Sequence, residues 1–136
     1  MSLEQKRCRR CKALKLLDKF HSDVTKKHGK SSICKECSKQ GNRERALKAN
    51  YGITEKQYQA LLSNQNYCCA ICESKTPGRG NKNFMVDHNH ETKEVRSLLC
   101  FSCNTALGHF KDSPKLLKRA IQYLEENGHY GVWSDA

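Results

Sequence analysis

Apolar residues come in short bursts along this chain, separated by long charged stretches. Leu14, Leu16, Leu17 and Phe20 predict a short strand or turn with one apolar side, and residues 26–32 a polar turn ending at Ile33. Residues 39–50 lack proline and are rich in helix formers, with little apolar face. Such a polar helix either bridges domains or lies on something negative. Tyr51-Gly52-Ile53 punctuates the chain. Thr54 and Gln57 then have the spacing of a capping box. Tyr58, Leu61 and Leu62 follow on one helical face, so a short helix runs to about Asn64. Residues 83–87 and 95–99 read as paired strands with a His-rich loop between them. Asn104 opens a short helix. A last helix begins at Ser113 as N-cap with Pro114 in its first turn. It carries Leu116, Leu117, Ala120, Ile121 and Leu124 on one stripe, and Gly128 is placed to end it. Of the tail beyond, only Trp133 suggests docking on a core or partner.

The pattern is small α+β, and its hydrophobic mass is thin: 37% of 136 residues. A chain this poor in core needs staples. Nine cysteines supply them, eight in Cys-x-x-Cys pairs. Two intervening residues let both thiolates of a tight turn face one ion about 2.3 Å away, and two such turns complete a tetrahedral zinc site. Cys8, Cys11, Cys34 and Cys37 are assigned to one Zn²⁺, and Cys69, Cys72, Cys100 and Cys103 to a second. Both are read as structural, since four protein ligands leave no open position. The competing disulfide framework suits an oxidising compartment and an even count, whereas this chain has an odd cysteine, Cys68, and a polar start without an apolar signal region. Knuckle, hairpin-like segment, knuckle and helix occur in that order twice, a weak internal repeat. The expected division is a four-cysteine zinc module with its basic helix at 1–50 and a second domain at 51–136.

Charge adds a partner. The formal net charge is +11, and the chain stays basic after eight thiolates and two Zn²⁺ are counted, which points to a polyanion.

The chemistry concentrates in residues 86–104, which open with Asp87-His88 at the end of an apolar run and close with Cys100-x-x-Cys103 followed directly by Asn104. Phosphodiester hydrolysis needs an activated water and stabilisation of charge on the phosphate. A histidine within reach of water supplies a base. Hard cations such as Mg²⁺ take oxygen ligands, which Asp87 and Asn104 offer, and a zinc held at Cys103 would fix the backbone just before Asn104. Taken singly, these residues are common in turns and caps. Their joint spacing carries the specificity.

Those residues, Val86-Asp87-His88-Asn89-His90-Glu91-Thr92, Val95-Arg96, Leu98-Leu99-Cys100, Cys103-Asn104 and Leu107-Gly108, resemble the recombination endonuclease VII group of phage nucleases, in the His-Me finger (ββα-metal) superfamily. Looser similarity covers Tyr51–Thr54, Cys69–Cys72 and the helix after Pro114. The resemblance implies a ββα-metal nuclease domain preceded by a zinc module and followed by short helices. It also implies a DNA endonuclease dependent on Mg²⁺ or Mn²⁺, leaving 5′-phosphate and 3′-hydroxyl ends on branched or junction DNA or at specific duplex sites. By carry-over His88 is the general base, Asp87 and Asn104 hold the catalytic metal, and His90 contacts the phosphate or assists the metal. The family often has Gly where this chain has Lys93 and Ser97, and some relatives carry an acidic residue on the helix after the Asn, where Thr105, Ala106 and Leu107 offer none.

For DNA phosphates the first choice is Arg96 beside the hairpin, then Arg43, Arg45 and Lys48 on the polar helix, with Arg9 and Arg10. No apolar run approaches the ~20 residues of a membrane span, and the cysteine usage fits a reducing cytoplasm, bacterial or phage-infected. The thin core and the need for paired cuts favour a homodimer. The rival function is a non-catalytic zinc-finger module, which needs the cysteines but not Asp87, His88 and Asn104 together.

Overall fold

Both pairs of cysteine knuckles are spanned by a hairpin and end on a helix, and the repeat expected from the sequence is visible in the backbone. The computed structural model describes residues 4–127 of the chain, so the expected helix stop at Gly128 and the tail with Trp133 lie outside the described residues. The chain divides into two compact units, Met1–Tyr58 and Gln59–Ala136.

In the first unit, β1 (Gln5–Arg7) pairs antiparallel with β2 (Leu14–Leu16), and β3 (Phe20–Ser22) with β4 (Lys30–Cys34). The polar turn expected over 26–32 is shorter than its composition suggests. A 3-10 turn occupies Lys27–Gly29, and the polar residues from Lys30 onward are already strand. Their backbones find ladder and loop partners, as when Arg9 N–H donates to Ser32 O at 2.9 Å, so side-chain polarity does not break the strand. The helix expected at 39–50 is longer, α1 (Lys35–Tyr51). Its first turn is the second knuckle itself, with Cys34 in extended conformation as N-cap. Gly52, at φ 70°, closes it by donating to Lys48 O at 3.0 Å. A Cβ at Gly41 would stand 2.6 Å from the Arg10 guanidinium, which crosses the helix there to reach Cys37 O at 3.0 Å and Glu44 at 2.8 Å.

The helix α2 (Glu55–Asn64) starts as expected. Thr54 N–H donates to Gln57 Oε1 at 2.8 Å, and Gln57 N–H returns a bond to Thr54 Oγ1 at 3.2 Å. Beyond it, β5 (Met85–His88) and β6 (Val95–Leu99) form an antiparallel hairpin, and α3 (Phe101–His109) packs against both strands. This is the ββα arrangement. Again the helix begins at its knuckle, three residues before Asn104. Then α4 (Pro114–Asn127) opens with Leu116 N–H donating to Ser113 Oγ at 3.3 Å.

The two knuckle pairs share their backbone bonds, although only Cys100 also caps its helix through its sulfur. After the first knuckle of each unit stands a left-handed residue, Lys12 (φ 60°) and Glu73 (φ 58°). Their N–H groups donate to Cys8 O at 2.9 Å and Cys69 O at 3.0 Å. The second knuckles use Cys34 and Cys100 as N-caps with nearly the same backbone angles. Each set of four sulfurs, Cys8/Cys11/Cys34/Cys37 and Cys69/Cys72/Cys100/Cys103, lies within 4.8 Å of one another. Four thiolates at the ~2.3 Å zinc–sulfur distance stand roughly 3.8 Å apart at the corners of a tetrahedron, and Cys72 Sγ and Cys100 Sγ are 3.7 Å apart.

The thiols also compete for ionisation. Burial opposes the Cys8 thiolate, yet backbone N–H groups from Cys34, Cys11 and Arg10 bring its pKa down to about 6. Cys37 is pushed up to about 12 by burial and by the surrounding thiols. In the second cluster Cys69 falls to about 6, against its burial, through N–H groups of Cys100, Cys72 and Ile71, while Cys103 is driven up by burial and its three neighbours. Four ionised thiols in that space require a cation among them. Cys68 stands outside the cluster, its thiol donating to Gln65 O at 2.8 Å.

Candidate active site

The hairpin of the second unit carries a fault in its register. Asp87 faces Ser97 and His88 faces Val95, so Arg96 is an extra residue on β6. A bulge of this kind re-aims side chains, and here the Arg96 side chain meets Asp87. Nε donates to Asp87 Oδ2 at 2.6 Å and Nη2 to Oδ1 at 2.8 Å, a two-pronged, charge-assisted pair. Asp87 is the buried charged residue among the described residues, at 7% exposure. A carboxylate this buried needs a cation beside it.

Register elsewhere in the hairpin is pinned by a residue that sequence reading passed over. The Gln65 amide donates to Leu98 O at 2.8 Å and to Cys68 O at 2.9 Å, and its Oε1 accepts from Leu98 N–H at 2.8 Å. It thus serves β6 as an extra edge partner. A lone Gln after a helix gives no signal of such a role.

The loop between the strands is a closed turn. Asn89 Oδ1 accepts from Glu91 N–H at 2.8 Å and Thr92 N–H at 3.1 Å, and Lys93 N–H donates to Asn89 O at 2.8 Å. Lys93 sits at φ 64°, in the left-handed region that favours Gly. Lys93→Gly is expected to stabilise the protein by about 0.5–1 kcal/mol, the relief of left-handed strain less the added freedom of the unfolded chain. A higher midpoint in thermal unfolding would show it.

This turn places His90 next to His88, ring centroids 4.8 Å apart. His90 Nε2 lies 3.6 Å from Asp112 Oδ2, and Arg96 Nη2 lies 3.4 Å from the same oxygen. Asp112 was missed in the sequence. It follows α3 in a tight turn, and nothing in the spacing of Lys111-Asp112-Ser113-Pro114 marks it as part of a site. A cleft of about 460 Å³ opens here, lined by His90, Arg96, Lys111 and Asp112 among others.

The expected residues are therefore placed as follows. Asp87, His88 and His90 share one hairpin, with Arg96 across the ladder. Asn104 sits half-buried in α3, its N–H donating to Cys100 O at 3.0 Å and so tied to the knuckle. Asp87 and Asn104 each carry oxygen of the hard kind that Mg²⁺ or Mn²⁺ prefers. The basic residues of the first unit are divided. Arg43 lies 4.5 Å over the Tyr58 ring and pairs with Glu55 at 2.7 Å, and Arg45 bonds within α1 to Gly41 O and Asn42 Oδ1. Arg10 is taken by Glu44. Lys48 and Arg9 are exposed.

With this geometry in view, comparison with known proteins gives one decisive result. The recombination endonuclease VII family profile matches residues 43–126, more than half of the chain. The chain belongs to the recombination endonuclease VII family. It is 42% identical over 84 residues to the Gene 59 protein of Mycobacterium phage D29, covering 61% of this chain and 50% of that protein. To the Gene 59 protein of Mycobacterium phage L5 it is 42% identical over 82 residues, covering 60% and 49%. The chain thus spans about half the length of the curated relatives it matches. Among solved structures it is similar to the ββα-Me type II restriction endonuclease Hpy99I, at 30% identity and a TM-score of 0.41, covering 90% of this chain and 66% of that one. The family match begins inside α1, so the Cys8–Cys37 cluster lies ahead of it. No described helix is long and apolar enough to cross a membrane.

Proposed function

We propose that this protein is a DNA endonuclease dependent on Mg²⁺ or Mn²⁺, with Zn²⁺ in both four-cysteine clusters as structural metal. The buried Asp87 carboxylate beside His88, on a hairpin within the family match, is the observation that carries this reading. Asp87 and Asn104 are the residues that would hold the catalytic ion, which when bound supplies positive charge against the phosphate and the leaving oxygen. The His88 imidazole takes a proton from the attacking water. His90 and Arg96, at the rim of the cleft, face the phosphate and balance its charge. Lys48 and Arg9 are the exposed cations proposed to follow the DNA backbone, while Arg43 and Arg45 have partners to leave first.

The DNA proposed is branched or junction DNA, or duplex at specific sites, cut by a homodimer in the cytoplasm of a bacterial cell; the mycobacteriophage relatives support that setting. The experiment is cleavage of supercoiled and branched DNA by the zinc-loaded protein with Mg²⁺, with Mn²⁺, or with neither. Cleavage restored by either ion supports the proposal. Binding without cleavage under every divalent cation would leave a non-catalytic zinc-finger module in its place.

A further inference from the structure

Arg96 is held by two carboxylates of unequal standing. Its fork takes both oxygens of Asp87, while Asp112 receives only one longer contact, 3.4 Å from Nη2. The Arg96 side chain is 38% exposed, Asp87's 10% and Asp112's 21%. On the proposed function, the same Asp87 oxygens belong to a divalent cation. A guanidinium and a divalent cation on one small buried carboxylate repel each other at close range, so one must yield.

Asp112 is built to be the other partner. Its backbone is fixed in a strained turn, with Lys111 at φ 55° and Asp112 at φ 51°. Two consecutive left-handed residues that are not glycine are an uncommon backbone, and they fix where the Asp112 carboxylate stands. The turn is closed by Lys111 N–H donating to Gly108 O at 3.0 Å and Asp112 N–H to Leu107 O at 2.9 Å. That turn holds the Asp112 carboxylate against Nη2, the same nitrogen that donates to Asp87 Oδ1, so the guanidinium already touches both carboxylates.

We infer that Asp112 is a positioning residue that receives Arg96 when Asp87 turns to its metal, so that the guanidinium changes partner within the site instead of leaving for solvent. Arg96 stays at the mouth of the cleft beside His90, aimed where a phosphate would lie. Asp112 acts through Arg96 and is not itself a metal ligand. The inference rests on the proposed function, because it needs a divalent cation at Asp87.

The test measures Mn²⁺ affinity of the zinc-loaded protein by electron paramagnetic resonance of the free ion. Four forms make a cycle: wild type, Arg96→Ala, Asp112→Asn and the double variant. Asp112→Asn alone is expected to weaken Mn²⁺ binding roughly tenfold, because Arg96 then clings to Asp87. Arg96→Ala is expected to tighten it. In the Arg96→Ala background, Asp112→Asn should change affinity by less than about twofold, the mark of action through a shared partner. An equal loss with and without Arg96 would overturn the inference, because Asp112 would then act on the ion directly. The Arg96 Nε resonance gives a second reading independent of variants. It should shift when Mg²⁺ saturates the wild type, and an unchanged resonance overturns the exchange. An Asp87→Asn control separates the two layers: if Mn²⁺ binds it as well as wild type, the metal reading of Asp87 fails, whatever the cycle shows.

Discussion

Cleavage by the His88→Ala variant is expected to fall by about 10²–10⁴-fold, the usual contribution of a positioned general base, with DNA affinity unchanged. His88 is the last residue of β5, and the bulge opposite it changes the direction in which neighbouring side chains leave the hairpin. Its neighbour His90 is poorly placed to replace it. The two rings are 4.8 Å apart, but His90 turns its Nε2 towards Asp112 at 3.6 Å, and it is exposed. His90→Ala should accordingly cost much less. The measurement is single-turnover cleavage of a plasmid at saturating Mg²⁺, beside a binding titration without metal and a thermal melt of each variant. A folded His88→Ala protein that cuts at the wild-type rate would remove His88 from the base role.

What could be read in the sequence was what short-range chemistry decides. The capping box at Thr54 and Gln57, the knuckles and the second hairpin strand are set by residues a few positions apart and formed where expected, whereas the first strand runs Met85–His88, starting two residues after the expected Asn83. The helices α1 and α3 began earlier than their helix-forming residues suggested, because each starts directly on its knuckle with a cysteine as N-cap, and in α3 the Cys100 sulfur also accepts from Cys103 N–H as a Ser or Asp oxygen would. Cysteine is not read as a cap unless its backbone is already pinned from elsewhere. The bulge at Arg96 has no local signature: Val95-Arg96-Ser97 reads as ordinary alternation, and only the pairing shows one residue too many on β6. Asp112 and Gln65 were illegible for the same reason. Their partners, Arg96 and Leu98, are brought to them by tertiary folding across 16 and 33 residues.

Removing one ligand of the second cluster, by Cys100→Ser, is expected to cost the protein one of two zinc ions and its cleavage activity together. Cys100 has three tasks. It is buried at 5%, it caps α3 by accepting from Cys103 N–H at 3.4 Å, and its sulfur is one corner of the cluster. The core around it cannot compensate. Of the seven largest fully buried side chains among the described residues, three are cysteines, Cys8, Cys34 and Cys69. In the first unit Cys8, Phe20, Cys34 and Cys37 form one buried cluster with Ile33 packed against it. Structural zinc contributes about 10–16 kcal/mol of apparent binding free energy in small zinc folds, as much as the ~5–15 kcal/mol that holds a whole domain. Weakening the site therefore frees α3, and Asn104 leaves with it. Metal analysis should give one zinc per chain for Cys100→Ser and likewise for Cys8→Ser, since each cluster lies within one unit. Cys68→Ser should keep both, because its thiol is turned to Gln65 O. The two single-site variants then separate what each zinc does: Cys8→Ser leaves the hairpin and α3 intact and should retain metal binding at Asp87, whereas Cys100→Ser should lose it. Two zinc ions and an unchanged melt in Cys100→Ser would show that the apolar packing of Leu98, Leu99 and Phe84 holds the hairpin against α3 without the metal.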